Sequence, residues 1–222
     1  MADYGALIAL ENGNPFITPQ STPFCLYRKV TVNSANTGGN YQGASMEVPI
    51  DASYPAIVFC KTSNTATVGA TRIGNAIRVG SSSPSGYAHT LTAYIFAIFP
   101  QTLPKWGMAI WDEDGKLVLT NESRVLSDLI TIGAPGNNGG IKIDQTLNGS
   151  YAIVPAILGS SLWQISVQGQ PIIINVTAFA GALHNGTTTR ISAVGSQIGQ
   201  GSSVGGTNTG MAITAINTAA YD

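Results

Sequence analysis

A chain of 222 residues suits one large or two ordinary domains, and a hydrophobic content of 44% is enough for a core. Only 9% of residues are Asp, Glu, Lys or Arg, against about 25% in an average soluble domain, and the net charge is −1. No Lys/Arg stripe is present to neutralise phosphates, which sets nucleic-acid binding aside, and no stretch approaches the roughly 20 apolar residues of a membrane helix. A surface this neutral predicts that partner chains cover much of it, so permanent assembly is the favoured reading. The opening Met-Ala-Asp-Tyr-Gly lacks the charged and apolar regions of a secretory signal, which predicts a protein made and kept in a cytoplasm.

In chain order, residues 4–21 (Tyr-Gly-Ala-Leu-Ile-Ala-Leu-Glu-Asn-Gly-Asn-Pro-Phe-Ile-Thr-Pro-Gln-Ser) form the first of two similar stretches. They align without gaps with residues 106–123, matching Gly5 to Gly107, Ile8 to Ile110, Glu11 to Glu113, Gly13 to Gly115, Thr18 to Thr120 and Ser21 to Ser123. Asn12-Gly13 and Asp114-Gly115 carry the same turn chemistry, and the second copy predicts a type I′ hairpin with strands at 108–112 and 116–120. Such self-similarity points to two related modules.

Residues 22–33 are β-branched and aromatic, followed by a loop at 34–43. Residues 56–60 (Ala-Ile-Val-Phe-Cys) are wholly apolar, the pattern of a strand buried on both faces, and 90–99 reads as a central strand covered on both sides. Residues 72–79 alternate. Pro100 and Pro104 bracket a joint. Beyond the hairpin, strands are expected at 124–132, 151–158, 163–167 and 172–180, with a glycine-rich loop at 133–140. The order of 76–80 followed by 91–99 parallels that of 163–167 followed by 172–180. No segment shows a capped 3.6-residue period, so the expected fold is all-β. It comprises two tandem β-sandwich (Ig-like) modules, 1–102 and 103–183, and an extended Gly/Ser/Thr-rich C-terminal arm at 184–222. Residues 211–217 (Met-Ala-Ile-Thr-Ala-Ile-Asn) alternate, which predicts an arm that adds a strand to a neighbouring chain's sheet.

Catalytic chemistry is sparse. His89 and His184 fall in different modules with no second ligand nearby in sequence, so both read as structural or surface histidines, and no metal or cofactor is expected. Asp112, Glu113 and Asp114 lack an EF-hand spacing and read as a solvated turn. Neither His-Glu-x-x-His nor Gly-x-x-x-x-Gly-Lys-Ser occurs, no catalytic residue emerges, and an enzyme is not expected. Cys25 and Cys60, the only cysteines, could pair within the first module, but without a secretory signal a reduced, buried pair is the favoured expectation. Trp106, Trp111 and Trp163 all lie in the second module, where core burial is the commoner fate and a sugar-stacking platform the alternative. Trp106, Trp111 and Asp114 of the hairpin, with Met211, Ile213 and Ile216 of the arm, are the candidate interaction residues.

Residues 3–24, together with the run from Trp106-Gly-Met-Ala-Ile-Trp-Asp-Glu-Asp-Gly-Lys-Leu-Val to Arg124, resemble uncharacterised proteins associated with the tail tip or tail fibre of lambda-like long-tailed bacteriophages. The likeness covers under half the chain and carries no catalytic residue across. It implies a structural virion component of the tail, assembled in the bacterial host cytoplasm and acting in assembly and attachment. Its partners would be further copies of itself, with a trimer favoured by analogy, and other phage tail proteins. The alternative is an adhesin recognising a bacterial surface glycan or outer-membrane protein through loops such as 62–71 and 134–140.

Overall fold

The computed structural model describes residues 22–198 and 200–222, together with two short strands near the start of the chain. Its strands in the first half are β1 (Ile8–Ala9), β2 (Pro15–Ile17), β3 (Cys25–Asn33), β4 (Ala35–Gly38), β5 (Tyr41–Pro49), β6 (Ala56–Thr62), β7 (Thr67–Ile73), β8 (Ala76–Ser83) and β9 (Thr90–Ala97). There follow β10 (Ala109–Trp111), β11 (Leu117–Thr120), β12 (Leu129–Ile132), β13 (Asp144–Asn148), β14 (Tyr151–Ile153), β15 (Ile157–Val167), β16 (Gln170–His184), β17 (Thr188–Gly195), β18 (Ser202–Asn208) and β19 (Ile213–Asn217). One 3-10 turn, Gly140–Lys142, is the only helical element among the described residues. The protein is all-β, as its short alternating segments require.

An eleven-stranded sheet runs β12-β19-β14-β6-β16-β15-β18, with β9 and β3 branching from β6 and β17 and β13 branching from β16. A four-stranded sheet, β4-β5-β8-β7, lies against it, and two hairpins, β1-β2 and β10-β11, stand as separate two-stranded sheets. Val48, Val68, Ile77 and Val79 of the smaller sheet pack with Val58, Cys60, Leu91, Ala93, Ile95 and Ala182 of the larger one. Because side chains alternate along a strand, the other faces of β6 and β9 present Phe59, Tyr94 and Phe96, which Ile216 and Tyr221 cover. Both strands are therefore buried on two sides, as their unbroken apolar runs predict. The rings of Phe59 and Phe96 meet edge to face at 5.8 Å, and those of Phe96 and Tyr221 at 4.9 Å. Each such pair adds about 0.5–1.5 kcal/mol beyond area burial.

Hydrogen bonding crosses the boundaries expected near 102 and 183. β14 bonds to β6 at Ile153↔Cys60, and β16 runs parallel to β6 at Leu183↔Thr62. The segment expected as an arm enters the same sheet. β19 is inserted between β12 and β14 of its own chain, with Ile213, Ala215 and Ile216 buried, and β18 pairs with β15. The alternation of residues 211–217 was a genuine strand signal; what sequence could not supply was the partner, which here is the chain's own sheet.

The two hairpins keep the internal repeat in their pairing. Ile8↔Ile17 and Ala9↔Pro15 in the first correspond, residue for residue, to Ile110↔Leu119 and Trp111↔Leu117 in the second, and both shift register at the same step. The first turn, Asn12-Gly13, lies outside the described residues. Equivalence ends with the hairpins: β8 and β9 lie in different sheets, whereas β15 and β16 pair directly along their length.

Several local expectations shift. Residues 34–43 form the β4-β5 hairpin, turning on Gly38 and Gly39, both at positive φ. The run expected as one strand at 124–132 is broken at Asp128, whose φ is +56°, so only Leu129–Ile132 pairs as β12. Pro155 separates β14 from β15, and the second half of the 62–71 loop, residues 67–71, belongs to β7. Cys25 and Cys60 are free and buried, facing different positions along β9. Burial pushes the Cys25 thiol up to about 11 and the Cys60 thiol up to about 12. Neither is thiolate at neutral pH, so a thiol reagent is expected to leave native protein unmodified and to label both after unfolding; rapid labelling of the native state would contradict their burial.

Candidate functional site

The β10-β11 hairpin is built by its turn and by one anchored face. Asp112 Oδ1 accepts hydrogen bonds from the amides of Asp114 (3.2 Å) and Lys116 (2.8 Å), and the Gly115 amide donates to Asp112 O at 3.0 Å. Gly115 has φ +75°, but Asp114 is not at positive φ, so the turn is not the type I′ expected; it is a wider loop in which Gly115 alone takes the left-handed position. Asp114 thus serves the turn through its backbone. The Asp112 carboxylate is engaged in holding the loop.

Ile110 and Leu119 pack with Cys25, Phe99 and Val125 in a small cluster that seats the hairpin on the main body. Thr120 bonds to Ser123, whose hydroxyl donates to Gln101 Oε1 at 2.9 Å. The Cys25↔Val125 bridge ties the following segment to β3. Alternation then sends Trp111, next to Ile110, to the opposite side. Trp111 is 50% exposed and Trp106 88% exposed, with Met108 and Leu103 also open to solvent. Core burial, the commoner fate of tryptophan, does not apply to these two; Trp163 is half-buried. Gly107, at φ +122°, lets the chain pass Asn121 where a Cβ would overlap the carboxamide, and this sets the position of Trp106.

The structure separates the candidate interaction residues. Trp106, Trp111 and Asp114 belong to the hairpin, and Met211 is exposed beside the 134–140 loop, where Gly140 N donates to Met211 O at 2.7 Å. Ile213 and Ile216 are in the core and are not available to a neighbour in this arrangement.

Sequence reasoning missed a polar cluster on the aromatic face of the sheet. Lys61, which follows the apolar run of β6, has only 11% of its side chain exposed; its Nζ donates to Ser150 Oγ (2.6 Å), Thr218 Oγ1 (3.0 Å) and Asp222 Oδ2 (2.9 Å). Asp222 also accepts from Lys29 at 3.0 Å and from the Tyr94 hydroxyl. The available signals were a lysine in a buried strand and Asp222 as the one anion of residues 191–222. Burial pulls the Lys61 ammonium down while Asp222 pushes it back, and burial with the bond to Asp222 raises the Tyr94 hydroxyl. Each polar group is matched within the cluster, which latches residues 218–222 against β6 and β9.

Burial alone would raise the Asp222 carboxyl, but bonds from Tyr94, Lys61, Lys29 and Thr218 outweigh it and hold the group well below the usual carboxylate range. Stability from a depressed carboxyl is present above its unfolded pKa of about 3.9 and is lost as pH falls through the folded value. With 37% of the side chain exposed, screening reduces the effect to about 1–2 kcal/mol. Urea unfolding is expected to show that loss below about pH 4, with a shallower slope in Asp222→Asn; equal slopes would remove Asp222 as the cause.

Other chemistry is quiet. A cleft of about 430 Å³ contains Lys142, Asp144 and Arg190, but Arg190 grips Asp144 through two bonds of 2.8 and 2.7 Å, which neutralises both. His89 is buried, bonded to Ser81 Oγ at 2.7 Å and Tyr87 O at 3.0 Å; His184 bonds to Thr188 O and Thr189 Oγ1. Gly201-Ser-Ser-Val-Gly205 has the letters of a nucleophile elbow, but Ser203 lies on an exposed strand opposite Trp163, not in a strand-to-helix turn. Among the described residues, no three His, Cys, Asp or Glu side chains converge as metal ligands. Compared with known proteins, the chain matches no family model, no curated protein and no solved structure.

Proposed function

We propose that this chain is a structural component of a bacteriophage virion, associated with the tail tip or tail fibre, whose work is assembly and attachment rather than catalysis. The observation that carries the reading is the β10-β11 hairpin, the stretch on which the tail-protein resemblance rests, presenting Trp106 and Trp111 outward from a firmly seated base. Exposed tryptophans are interface residues by habit, since they bury a large apolar area with few rotatable bonds. The sparse charge supports neighbours on several sides. On this reading, the hairpins at 1–102 and 103–183 are the heads of two Ig-like sandwich modules merged along one sheet, with residues 184–222 as the arm that closes it. Its partners are further copies, a trimer by analogy, and other tail proteins.

The test is mass spectrometry of purified phage particles encoding the chain, with immunogold labelling. Stoichiometric presence at the tail is expected, and its absence from particles would overturn the proposal. The exposure of Trp106 also favours a second reading, an adhesin that stacks a pyranose of a bacterial surface glycan on an indole face. Saturable binding to host cells, lost on joint Trp106→Ala and Trp111→Ala replacement with the fold intact, would support it; binding unchanged by that replacement would reject it.

A further inference from the structure

The two short hairpins leave the body from segments that pair with each other. Leu26 N donates to Arg124 O and Leu126 N to Phe24 O, both at 2.8 Å, around the Cys25↔Val125 bridge. That register sets Phe24 directly opposite Leu126. The two residues are 102 positions apart, the same offset at which residues 4–21 align with 106–123, and the alignment reaches them without a gap. Phe24 is therefore paired with its own counterpart in the repeat.

Directly opposite residues of an antiparallel pair are related by a local two-fold axis normal to the sheet, which lays each strand on the other with its chain direction kept. The axis between Phe24 and Leu126 therefore superposes Pro23 on Val125 and Cys25 on Ser127. Upstream, the spacing is the same in both copies: Ile17 lies seven positions before Phe24, and Leu119 seven before Leu126. Both hairpins also shift register at the same step. Equal hairpins on equal tethers, leaving a two-fold pair, reach equivalent places on either side of its axis. Past the pair the likeness ends, because the chain turns off at Asp128 (φ +56°) where β3 runs on.

The β10-β11 hairpin sits on Cys25 and Val125 through Ile110 and Leu119. The counterpart positions are Ile8 and Ile17 on the first hairpin and Ser127 and Pro23 on the body. Tyr4 holds the sequence position of Trp106, an aromatic ahead of the first glycine in both copies. We propose that the β1-β2 hairpin is a second contact head, seated across this axis on the side of its own chain that bears Pro23 and Ser127, so that the protein offers its partner two like heads facing opposite ways. The partner such a pair fits is a protein assembly that presents two identical surfaces, one to each head. The proposal rests on the reading above that β10-β11 is a contacting element, and it adds the second contact and the symmetry of the partner.

Disulfide trapping tests the seat on the full chain. In a Cys25→Ser background, Ile17→Cys with Ser127→Cys is expected to close a bond within one chain under mild oxidation, read as a mass lower by two hydrogens and as a cross-linked peptide. Leu119→Cys with native Cys25 is the reference pair at the β10-β11 seat. Ile17→Cys with Ser45→Cys, exposed on β5, is the control expected to stay open. Cys60 is buried and does not compete, and near-ultraviolet circular dichroism checks the fold. A short bismaleimide, which tolerates looser geometry than a disulfide, gives a second readout of the same pairs. Linkage only between chains, equal trapping at Ser45, or no linkage at Ser127 by either reagent overturns the proposal. In phage particles, Tyr4→Ala is expected to be lost from the tail as Trp106→Ala is, and a Tyr4→Ala chain incorporated like wild type overturns the second contact. A wild-type chain absent from particles rejects the virion reading alone, and the trapping result still decides the seat.

Discussion

Tyr221→Ala is expected to destabilise the protein by about 3–5 kcal/mol, the range for deleting a large buried aromatic side chain. Tyr221 is 2% exposed, its ring abuts Phe96 at 4.9 Å, and its hydroxyl donates to Val125 O (2.8 Å) and accepts from the Ser127 amide (2.9 Å). It therefore fills the aromatic layer behind β6 and β9 and tethers the segment leading into β12. Tyr221→Phe keeps the ring and loses only the hydroxyl contacts, for about 1 kcal/mol. In urea melts the alanine variant should shift the midpoint far more than the phenylalanine variant. A Tyr221→Ala effect under about 1 kcal/mol would show that this layer contributes little to the fold.

Asp222→Asn carries the second large effect, through the asymmetry between a buried cation and a half-exposed anion. The substitution leaves the Lys61 ammonium with only the neutral partners Ser150 and Thr218 and the amide that replaces the carboxylate. Removing one member of a buried ion pair costs about 3–5 kcal/mol when the other stays charged; partial exposure of Asp222 places this case near the lower end. Lys61→Met is milder, about 1–2 kcal/mol, because Asp222 keeps Lys29, Tyr94 and Thr218 and reaches water. The double variant should be more stable than Asp222→Asn alone, since no uncompensated buried charge remains. Equal costs for the two single variants, or strict additivity in the cycle, would refute the asymmetry.

These effects concern segments that sequence reasoning assigned to an arm. Thr218, Tyr221 and Asp222 read as a neutral tail with one acid, because composition reports average polarity and not what a segment packs against. Lys61 carried only half of the signal. A lysine at the end of an apolar strand is compatible with solvent or with burial, and only its partner Asp222, 161 positions away, decides between them.

The hairpin around Trp111 was legible because its information is local. An Asp-Gly pair between apolar runs specifies a reversal within a few residues, and the same signal, repeated at residues 4–21, predicts equal pairing at Ile8↔Ile17 and Ile110↔Leu119. The exact turn was less legible, since Asp112's side chain captures two amides and widens the loop. That its tryptophans face solvent follows from Ile110 and Leu119 taking the inward side, which alternation permits but does not choose.

By itself, the sequence determined that the chain is all-β, that β6 and β9 are central, that residues 106–123 form a hairpin with an internal counterpart, and that the surface is nearly uncharged. Strand period, apolar runs and turn chemistry act over a few residues, so they can be read without a partner. Only the tertiary structure decided that β19 completes its own sheet between β12 and β14, and that Lys61 and Asp222 latch one face. Each of these depends on which strands become neighbours. That is a long-range choice, set by the total apolar area that can be buried together.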